Sequence, residues 1–450
     1  MPNPSHPPSI ETLVADAGLA PAIAAHGRPV VTEVVRGVIE ELRSRIKPGG
    51  NWPASVEIIT QVSAQLAQRA LQFPQRVINA TGVLIHTNLG RVPWGPEQLC
   101  EISPRLTSYV SLEYDLAEGT RGKRGTAVEG ELAALTGAEG ALVVNNNAAA
   151  VYLVLSALAW NREVVISRGE LVQIGGGFRI PEILAKSGAV LKEIGTTNQT
   201  SLADYEKACG PQTALILKVH RSNFVQTGFV SEVDAKALAA LGKKKGVPVV
   251  WDVGSGAVGP GSICEFSGEP TLRACIGSGV DLVTSSGDKL FGGPQAGFVL
   301  GRRDLLDKLR SDPFYRALRP DKGTLLTLEY TTGAHRSGRA AELIPLYRLL
   351  AVPASRLKER AEAIAENARK RGLKASVVET ADPFGGGAAP GKAIAGWGVR
   401  IDAPPSAEEL SARARAFSPP IIATVSDNGV VFSLRTMFDA DDLALSEFLS

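Results

Sequence analysis

Lys289 lies in a short glycine-containing motif that could hold a covalently bound aldehyde cofactor. The motif is Ser286-Gly287-Asp288-Lys289-Leu290-Phe291-Gly292, and strand-like apolar runs flank it at 280–285 and 296–300. A lysine at the mouth of a sheet, with a hydroxyl three residues earlier and glycines after it, suits a pyridoxal-phosphate (PLP) enzyme. Such an enzyme holds its cofactor as a Schiff base on the lysine. The alternative from this window alone is a solvated lysine in a loop between strands.

Asp252 is the candidate partner for the pyridine nitrogen of that cofactor. It follows the apolar run 246–251, which is typical of a strand covered on both faces, and it precedes Val253-Gly254. An acid at this place keeps the ring nitrogen protonated, so that the ring can draw electrons from the substrate. The alternative role is a turn cap before Gly254. Together with Lys289, Asp252 favours the cofactor interpretation.

A cup for the cofactor phosphate is predicted where a third strand meets a helix. Residues 140–144 read as a strand, Asn145-Asn146-Asn147 as a turn, and 148–155 as a helix. Unpaired backbone N–H groups and the helix dipole favour an anion there. Asn146, Asn147 and Ala148 are therefore candidate phosphate ligands, with Ser286 adding a hydroxyl. An Asn run before a helix is by itself only a cap.

Three longer stretches resemble the bacterial selenocysteine synthases, the L-seryl-tRNA(Sec) selenium transferases, which are fold-type I PLP enzymes. These stretches are 76–91, 167–181 and 285–297, and the similarity runs from about residue 10 to the C-terminus. The resemblance implies conversion of L-seryl-tRNA(Sec) to L-selenocysteinyl-tRNA(Sec). Water is eliminated to give an aminoacrylyl-tRNA, and selenium from selenophosphate then adds to it. The family also implies a homo-oligomer, a ring of dimers.

The resemblance assigns further roles to particular residues. Lys289 takes the α-proton of the seryl group, while Asp288 and His86 are candidate proton-handling neighbours. His220 is a candidate for contact with the cofactor, although a lone histidine at a strand end is more often structural. A set of three arginines is expected to line the selenophosphate pocket: Arg91, Arg316 and Arg319. Surface arginines in loops are the alternative for that set.

Arg435 separates two enzyme hypotheses. Many fold-type I enzymes grip the free α-carboxylate of a small amino acid with a C-terminal arginine. A seryl group esterified to tRNA has no free carboxylate, so Arg435 must then have another role or none in catalysis. The alternative enzyme is a PLP lyase that acts on a small hydroxy or sugar amino acid and does not need residues 1–74. A catalytically dead tRNA-binding protein is disfavoured because Lys289 and Asp252 are both present.

The alternation of strand-like and helical segments predicts an α/β fold with a mostly parallel sheet covered by helices on both faces. We expect a small helical domain over 1–75 for tRNA recognition, a PLP-binding domain over 76–335 and a C-terminal α+β domain over 336–450. Strand candidates in the last domain are 396–401, 421–425 and 430–434. A long helical stretch is expected from about 340 to 371, and a loop over 385–391.

Composition is that of a soluble enzyme without an obvious polyanion-binding character. The 450 residues carry a net charge of only +2, and no signal peptide or membrane-spanning run is apparent. The four cysteines have no CxxC spacing, which argues against a structural zinc site and indicates the reducing cytoplasm. These cysteines are Cys100, Cys209, Cys264 and Cys275.

The N-terminal 76 residues have almost no net electrostatic attraction for RNA, with seven basic and six acidic side chains. Recognition of the tRNA would then depend on shape and on a local patch. Arg43, Arg45 and Lys47, just before the break at 48–50, are the expected phosphate contacts. A solvated helix end is the alternative, since cations there favour the helix dipole.

Overall fold

A computed structural model describes residues 6–47, 50–70, 72–174, 177–258, 269–402 and 406–450. The chain divides into two compact units, Met1–Val77 and Ile78–Ser450. The functional boundaries at 75/76 and 335/336 stay predictions. Pro48, Gly49 and Cys264 from the sequence analysis lie outside the described residues, as do Gly175 and Gly176 of the second family-like stretch.

The first unit is helical. Its α-helices are α1 (Ile10–Val14), α2 (Ala20–His26), α3 (Arg28–Arg45) and α4 (Ser55–Ala70). Apolar residues at helical spacing on α3 pack with α4 and the short helices, as Val31, Val35, Val38 and Ile58 show, because burying one stripe of each helix is what stabilises so small a unit. Arg43, Arg45 and Lys47 are exposed at and just beyond the end of α3.

The second unit contains two main sheets. The strands are β1 (Ile78–Ala80), β2 (Tyr114–Asp115), β3 (Thr120–Arg121), β4 (Gly140–Val144), β5 (Glu163–Ser167), β6 (Gln173–Ile174), β7 (Phe178–Arg179), β8 (Val190–Ile194), β9 (Thr213–Val219), β10 (Val249–Gly254), β11 (Leu282–Ser286), β12 (Gly297–Gly301), β13 (Ala375–Pro383), β14 (Ala393–Asp402), β15 (Ile421–Ser426) and β16 (Gly429–Ser433). The helices are α5 (Pro96–Leu106), α6 (Thr126–Thr136), α7 (Asn147–Ala159), α8 (Ile180–Lys186), α9 (Leu202–Ala208), α10 (Ala235–Lys245), α11 (Leu272–Gly277), α12 (Arg303–Ser311), α13 (Lys322–Arg336), α14 (Ala340–Leu343), α15 (Pro345–Ala351), α16 (Ala354–Lys370), α17 (Ala407–Ala416) and α18 (Asp442–Phe448).

The large sheet has seven strands in the order β4-β12-β11-β10-β9-β5-β8. All neighbouring strands are parallel except β12, which runs antiparallel to both β11 and β4. Successive side chains of β4 enter two different cores, Leu142 and Val144 on one face and Ala141 and Val143 on the other. Helices therefore cover both faces, as the apolar strand runs predicted.

The smaller sheet has the order β1-β15-β16-β14-β13 and packs its core against α16, α17 and α18. This sheet combines strands from the beginning and the end of the unit's sequence, because β1 pairs in parallel with β15 through Ile78 and Ile421. Residues 78–80, which follow the family-like start at Arg76, thus belong to the C-terminal sheet and not to the large one. The three strand candidates predicted for this region correspond to β14, β15 and β16.

The helical stretch predicted over about 340–371 is helical in the structure but consists of three helices, α14, α15 and α16. Pro345 is the first residue of α15 and Pro353 is the N-cap of α16. A proline lacks the backbone N–H that a continuous helix needs, so each one begins a new helix. In the described ranges, none of the helices combines the length and the apolar character that crossing a bilayer requires.

Candidate active site

Lys289 lies just beyond the carboxyl end of β11, in a turn whose backbone is fixed on both sides. Gly287 N donates to Ala296 O at 2.8 Å, and Leu290 N donates to Ser255 O at 2.9 Å. The lysine is only 4% exposed. Its Nζ donates to Gly387 O at 3.3 Å. The predicted lysine is therefore buried at the mouth of the sheet and is not a solvated loop residue.

The surroundings of Lys289 favour its neutral form. Burial lowers the pKa of the ammonium group, and the positive charge of Arg91 lowers it further. The carboxylates of Asp252, Asp288 and Glu269 act in the opposite direction without reversing the shift. An amine with a lowered pKa is a better nucleophile and a better base near neutral pH.

Asp252, on β10, is buried in the same pocket. Its Oδ1 accepts hydrogen bonds from Asn147 Nδ2 and from Thr284 Oγ1, each at 2.9 Å. Burial raises the pKa of this carboxyl, and the two hydrogen bonds and the nearby Lys289 offset only part of that effect. Such a carboxylate gains from a cationic partner brought into the pocket.

The predicted phosphate cup is the N-terminus of α7, which directly follows β4. Asn146 caps this helix, because its side-chain oxygen accepts from Ala149 N at 2.9 Å. Asn147 differs from the expectation in one respect. Its side-chain amide donates to Asp252, so only its backbone can belong to an anion cup. Ala148 is in the first turn of α7, and Ser286 is buried at the end of β11.

Several buried polar atoms around this pocket have no hydrogen-bond partner among the described residues. They are Asn145 Oδ1, Asn147 Oδ1, Ser255 Oγ, Ser285 Oγ and Glu269 Oε1. Native proteins rarely leave such atoms unpaired unless a ligand or water completes them. The residues present therefore provide the amine, the acid and the polar groups that PLP requires.

Gly254 lies among the key side chains of the pocket. It has a φ of +71°, and a Cβ there would lie 3.9 Å from both Lys289 Nζ and Ser222 Oγ and 4.0 Å from Asn147 Nδ2. A side chain at this position would extend toward these groups. Gly254 therefore brings the backbone close to Lys289 and to Asn147, the residue that binds Asp252.

His220 follows β9 and is close to the same strand ends. Its backbone N donates to Asp252 O at 2.8 Å, and its Nε2 lies 3.3 Å from Glu269 Oε2. The imidazole is thus oriented by Glu269, a buried carboxylate that sequence reasoning did not select. Direct contact of His220 with a cofactor stays a prediction.

A cavity of about 380 Å³ lies beside Lys289 and is partly covered by the loop 385–391. Arg91, Thr87, Ser222 and Asn223 also line it. The loop belongs to the connection between β13 and β14, so the C-terminal part of the chain completes the pocket. Sequence reasoning missed Ser222, Thr284, Glu269 and Gly387, because none of them lies in a recognisable motif.

Arg91 and Asp288 form an ion pair next to Lys289. Arg91 Nη1 lies 2.7 Å from Asp288 Oδ1, and the Asp288 side chain is largely buried while that of Arg91 is partly exposed. Arg91 N also donates to His86 O at 3.0 Å, which places His86 beside the pair. His86 Nδ1 is buried without a hydrogen-bond partner in the described chain. The predicted donor arginine and the two predicted proton-handling residues are thus neighbours.

Arg316 and Arg319 lie in and just after a 3₁₀ turn, Pro313–Leu318, that adjoins the helix cup through Asn145 N and Leu318 O at 2.9 Å. Arg316 is exposed. Arg319 lies 3.8 Å from Glu113 and 5.4 Å from the centre of the Tyr315 ring, and its buried Nε has no hydrogen-bond partner within the described ranges. No hydrogen bond or ion pair between described residues joins this pair to Arg91, so a shared donor pocket stays a prediction.

Arg435 is engaged inside the protein. It is 3% exposed, and its guanidinium donates to the carbonyls of Leu349, Val352 and Ala395 at 2.7–3.0 Å. These bonds connect β14 to the helical segment 345–353. In this arrangement Arg435 ties backbone segments together and does not present its donors to a substrate carboxylate.

Comparison with known proteins gives a consistent result over nearly the whole chain. A family model described as L-seryl-tRNA selenium transferase matches residues 77–438, and one described as selenocysteine synthase N terminal matches residues 8–43. The L-seryl-tRNA(Sec) selenium transferase of Solidesulfovibrio magneticus is 41% identical, covering 97% of this chain and 95% of the relative. The protein of that name from Aquifex aeolicus is 43% identical, covering 91% of each chain.

A solved structure supports the fold assignment. D-Glucosaminate-6-phosphate ammonia-lyase superposes with a TM-score of 0.61 at 20% identity, covering 85% of this chain and 96% of that chain. At this identity the similarity concerns the fold alone, and the predicted α/β fold is confirmed. The matched family models and the relatives also confirm the resemblance inferred from the three sequence stretches. The chain belongs to the L-seryl-tRNA selenium transferase family.

Proposed function

We propose that this chain is a PLP-dependent transferase that converts L-seryl-tRNA(Sec) to L-selenocysteinyl-tRNA(Sec) with selenophosphate as the selenium donor. One observation carries the proposal: Lys289 and Asp252 are both buried at the carboxyl ends of β10 and β11, close enough for the charge of each to shift the pKa of the other. The family membership supplies the substrate, because the relatives are named for it.

The chain holds the cofactor from three sides. Lys289 Nζ would bind its aldehyde carbon, Asp252 would pair with its ring nitrogen, and the N-terminus of α7 with Asn146, Asn147 and Ala148 would receive its phosphate. Ser286 would add a hydroxyl for the phosphate, and His220 would contact the cofactor. When bound, PLP draws electrons from the α-carbon of the seryl group and so makes its proton acidic.

Lys289 then acts as the base at that carbon. Burial and the charge of Arg91 lower the pKa of its Nζ, which makes the amine better suited to take the α-proton of the seryl group. The proton that Lys289 takes from the α-carbon is the one that the β-hydroxyl needs to leave as water, and Asp288, held 2.7 Å from Arg91, is the first candidate to relay it. His86 lies beside the same pair and is the second candidate for that step.

The selenium donor binds through arginines. Arg91 lines the cavity beside Lys289, and its fork can bind a phosphate oxygen in addition to Asp288. Arg319 is only 3.8 Å from Glu113, and a phosphate dianion competes for the same guanidinium. We expect Arg316→Ala or Arg319→Ala to spare binding of the seryl-tRNA while slowing selenium transfer by roughly ten- to a hundred-fold.

Recognition of the tRNA body is assigned to the N-terminal helical unit. Arg43, Arg45 and Lys47 form an exposed basic group around the end of α3, and Arg45 is paired with Glu41 on the same helix. Deletion of residues 1–74 is expected to leave a folded, coloured protein that no longer binds its tRNA. Equal affinity for seryl-tRNA(Sec) before and after the deletion would shift support to a lyase of small amino acids.

The lyase alternative has little structural support. It would need a free guanidinium to grip an α-carboxylate, but the donors of Arg435 are directed to backbone carbonyls. A functional assignment to the cytoplasm agrees with an aminoacyl-tRNA substrate and with the free thiols of Cys100, Cys209 and Cys275. Assembly into a homo-oligomeric ring of dimers belongs to the same proposal and can be measured by sedimentation velocity.

The proposal is tested by incubating the purified protein with serylated tRNA(Sec) and selenophosphate. Selenocysteine esterified to the tRNA is the expected product, with free L-serine as a substrate control that is not converted. A protein that turns over free hydroxy amino acids and leaves seryl-tRNA(Sec) unchanged would overturn the assignment.

A further inference from the structure

Glu269 is a buried acid that belongs to no sequence motif and that makes two contacts with one oxygen. Its side chain is 2% exposed. Oε2 accepts from Ala389 N at 3.1 Å and lies 3.3 Å from His220 Nε2. Oε1 is buried without a hydrogen-bond partner among the described residues. Burying a carboxylate is costly, so a buried one is normally retained for the groups that it binds.

The first contact holds a loop in an unfavourable conformation. Ala389 has a φ of +45°, a region that side chains with a Cβ rarely adopt. Backbone of this kind persists only where the surroundings impose it, and it is frequent in segments that clamp ligands. Ala389 is buried, and its N–H donates to Glu269 while its carbonyl accepts from Lys392 N at 3.2 Å, so Glu269 is the side chain that fixes this residue from outside the loop.

The same loop reaches the catalytic lysine. Gly387 O accepts from Lys289 Nζ at 3.3 Å, and a Cβ on Gly387 would lie 2.9 Å from that nitrogen. Ala389 and Pro390 separate the cavity of about 380 Å³ beside Arg91 from a second cavity of about 320 Å³ beside His220 and Glu269. A shift of this loop would therefore merge the two spaces and expose Lys289.

We propose that Glu269 is a positioning residue that latches the loop 385–391 against Lys289 and, through the same oxygen, orients the imidazole of His220. The latch works because a carboxylate accepts the Ala389 amide and the His220 N–H more strongly than a neutral group or water can. It rests on the proposed function in one respect, namely that Lys289 is the reactive lysine. The position of the loop itself does not depend on that assignment.

Hydrogen–deuterium exchange of the full-length protein tests the latch directly. In Glu269→Ala we expect amides of the loop 385–391 to exchange at least tenfold faster than in the wild type, since a charge-assisted hydrogen bond is lost. Glu269→Gln keeps the volume and an acceptor, so it should restore most of the protection and leave about a threefold increase. Glu232→Ala is the matched control, because Glu232 lines the same cavity but is exposed and contacts Arg221 instead of the loop.

A second readout measures how accessible Lys289 is to a reagent from solution. Hydroxylamine removes a lysine-bound PLP in proportion to its accessibility, and the loss of colour in the purified holoenzyme should be about tenfold faster in Glu269→Ala. The control Glu232→Ala should match the wild type in both measurements.

Unchanged loop exchange in a folded Glu269→Ala protein would overturn the latch. If Glu269→Ala does not melt cooperatively, Glu269→Gln decides, and exchange identical to the wild type in that variant contradicts the proposal. A protein that carries no cofactor would refute the proposed function, whereas the exchange experiment would still decide the role of Glu269.

Discussion

Strands β9, β10 and β11 end at the carboxyl edge of the seven-stranded sheet and begin at its amino edge. Both edges carry charged residues of similar kinds, but these residues are paired differently. At the carboxyl ends of β9, β10 and β11, Asp252 and Lys289 are buried next to a cavity of about 380 Å³. At the amino ends of the same strands, a cavity of about 900 Å³ is lined by Asp281, Arg302 and Lys308, among others. The larger opening is not the one with the features of an active site.

The difference lies in how completely the polar groups are paired. At the amino edge, Asp281 Oδ1 lies 2.7 Å from Arg302 Nη1, and Oδ2 accepts from Val249 N at 2.7 Å. Arg302 binds Asp304 with its other nitrogens. At the carboxyl edge, buried oxygens of Asn147, Ser255 and Ser285 have no partner in the described chain. Unsatisfied buried polar groups therefore indicate a ligand site better than cavity size does.

The largest expected effect on turnover distinguishes Lys289, at the carboxyl edge, from Lys308, at the amino edge. Lys289→Ala should lower turnover of seryl-tRNA(Sec) by on the order of 10²–10⁴-fold or more, because the residue is both the attachment point and the base. Lys308→Ala, at the amino edge, should leave turnover unchanged. Single-turnover kinetics on both variants measure this. Normal turnover in Lys289→Ala would contradict the assignment of the carboxyl edge.

The next effect compares two aspartates. Asp252→Asn removes the charge that pairs with the ring nitrogen and should cost about 3 kcal/mol of transition-state stabilisation, or roughly 10²-fold in turnover. Asp281→Asn weakens its bond to Arg302 and should lower the free energy of unfolding by about 1–2 kcal/mol while leaving kcat unchanged. Kinetics and thermal unfolding of both variants distinguish the roles. Equal losses of kcat would remove the contrast.

A smaller effect is expected for two ion-paired arginines. Arg91→Ala should slow selenium transfer by roughly ten- to a hundred-fold, since a charge-assisted hydrogen bond to the donor is lost. Arg302→Ala breaks a partly exposed pair and should change stability by about 1 kcal/mol or less, with no effect on transfer. The rate of selenocysteinyl-tRNA formation at saturating seryl-tRNA tests both arginine variants. A defect confined to tRNA binding in Arg91→Ala would place this arginine elsewhere.

The smallest effect is on the pH dependence of the cofactor-free protein. Burial raises the pKa of Asp252 above its ordinary value of 3.8, so the folded state binds a proton more tightly than the unfolded state. The contribution of Asp252 to stability is therefore fully present below that ordinary value and is lost as pH rises through the raised pKa. Cofactor-free Asp252→Asn should lack this loss and be more stable than the wild type at pH 7 but not at pH 3.5, as measured by urea unfolding. Parallel stability curves for the two proteins would contradict it.

Much of the carboxyl edge could be predicted because its signals are local. Asp252 and Lys289 each follow an apolar run that forms a strand, and parallel strands bring their carboxyl ends to one edge of a sheet. The helix that follows Asn146 was likewise predicted from a local signal, an Asn run before an apolar helical segment. The side chain of Asn147 could not be placed from sequence, because its bond to Asp252 joins residues 105 positions apart.

The features of the site and fold that could not be predicted depend on contacts between segments that are distant in the sequence. Gly387, between β13 and β14, contacts Lys289, and Glu269, between β10 and β11, contacts the same loop at Ala389. No spacing rule links an isolated Glu or Gly to that site. The breaks at Pro345 and Pro353, which divide the predicted helical stretch into separate helices, follow from proline positions that are visible in the sequence. The pairing of β1 with β15 could not be predicted, because the two strands lie more than three hundred residues apart.

The identity of the cofactor-bearing residue is the central claim, and borohydride reduction followed by peptide mass mapping tests it most directly. Reduction of the coloured wild-type protein should fix a pyridoxyl group on the peptide that contains Lys289 and on no other. A modified peptide without Lys289, or a colourless protein that reduction leaves unmodified, would contradict the account.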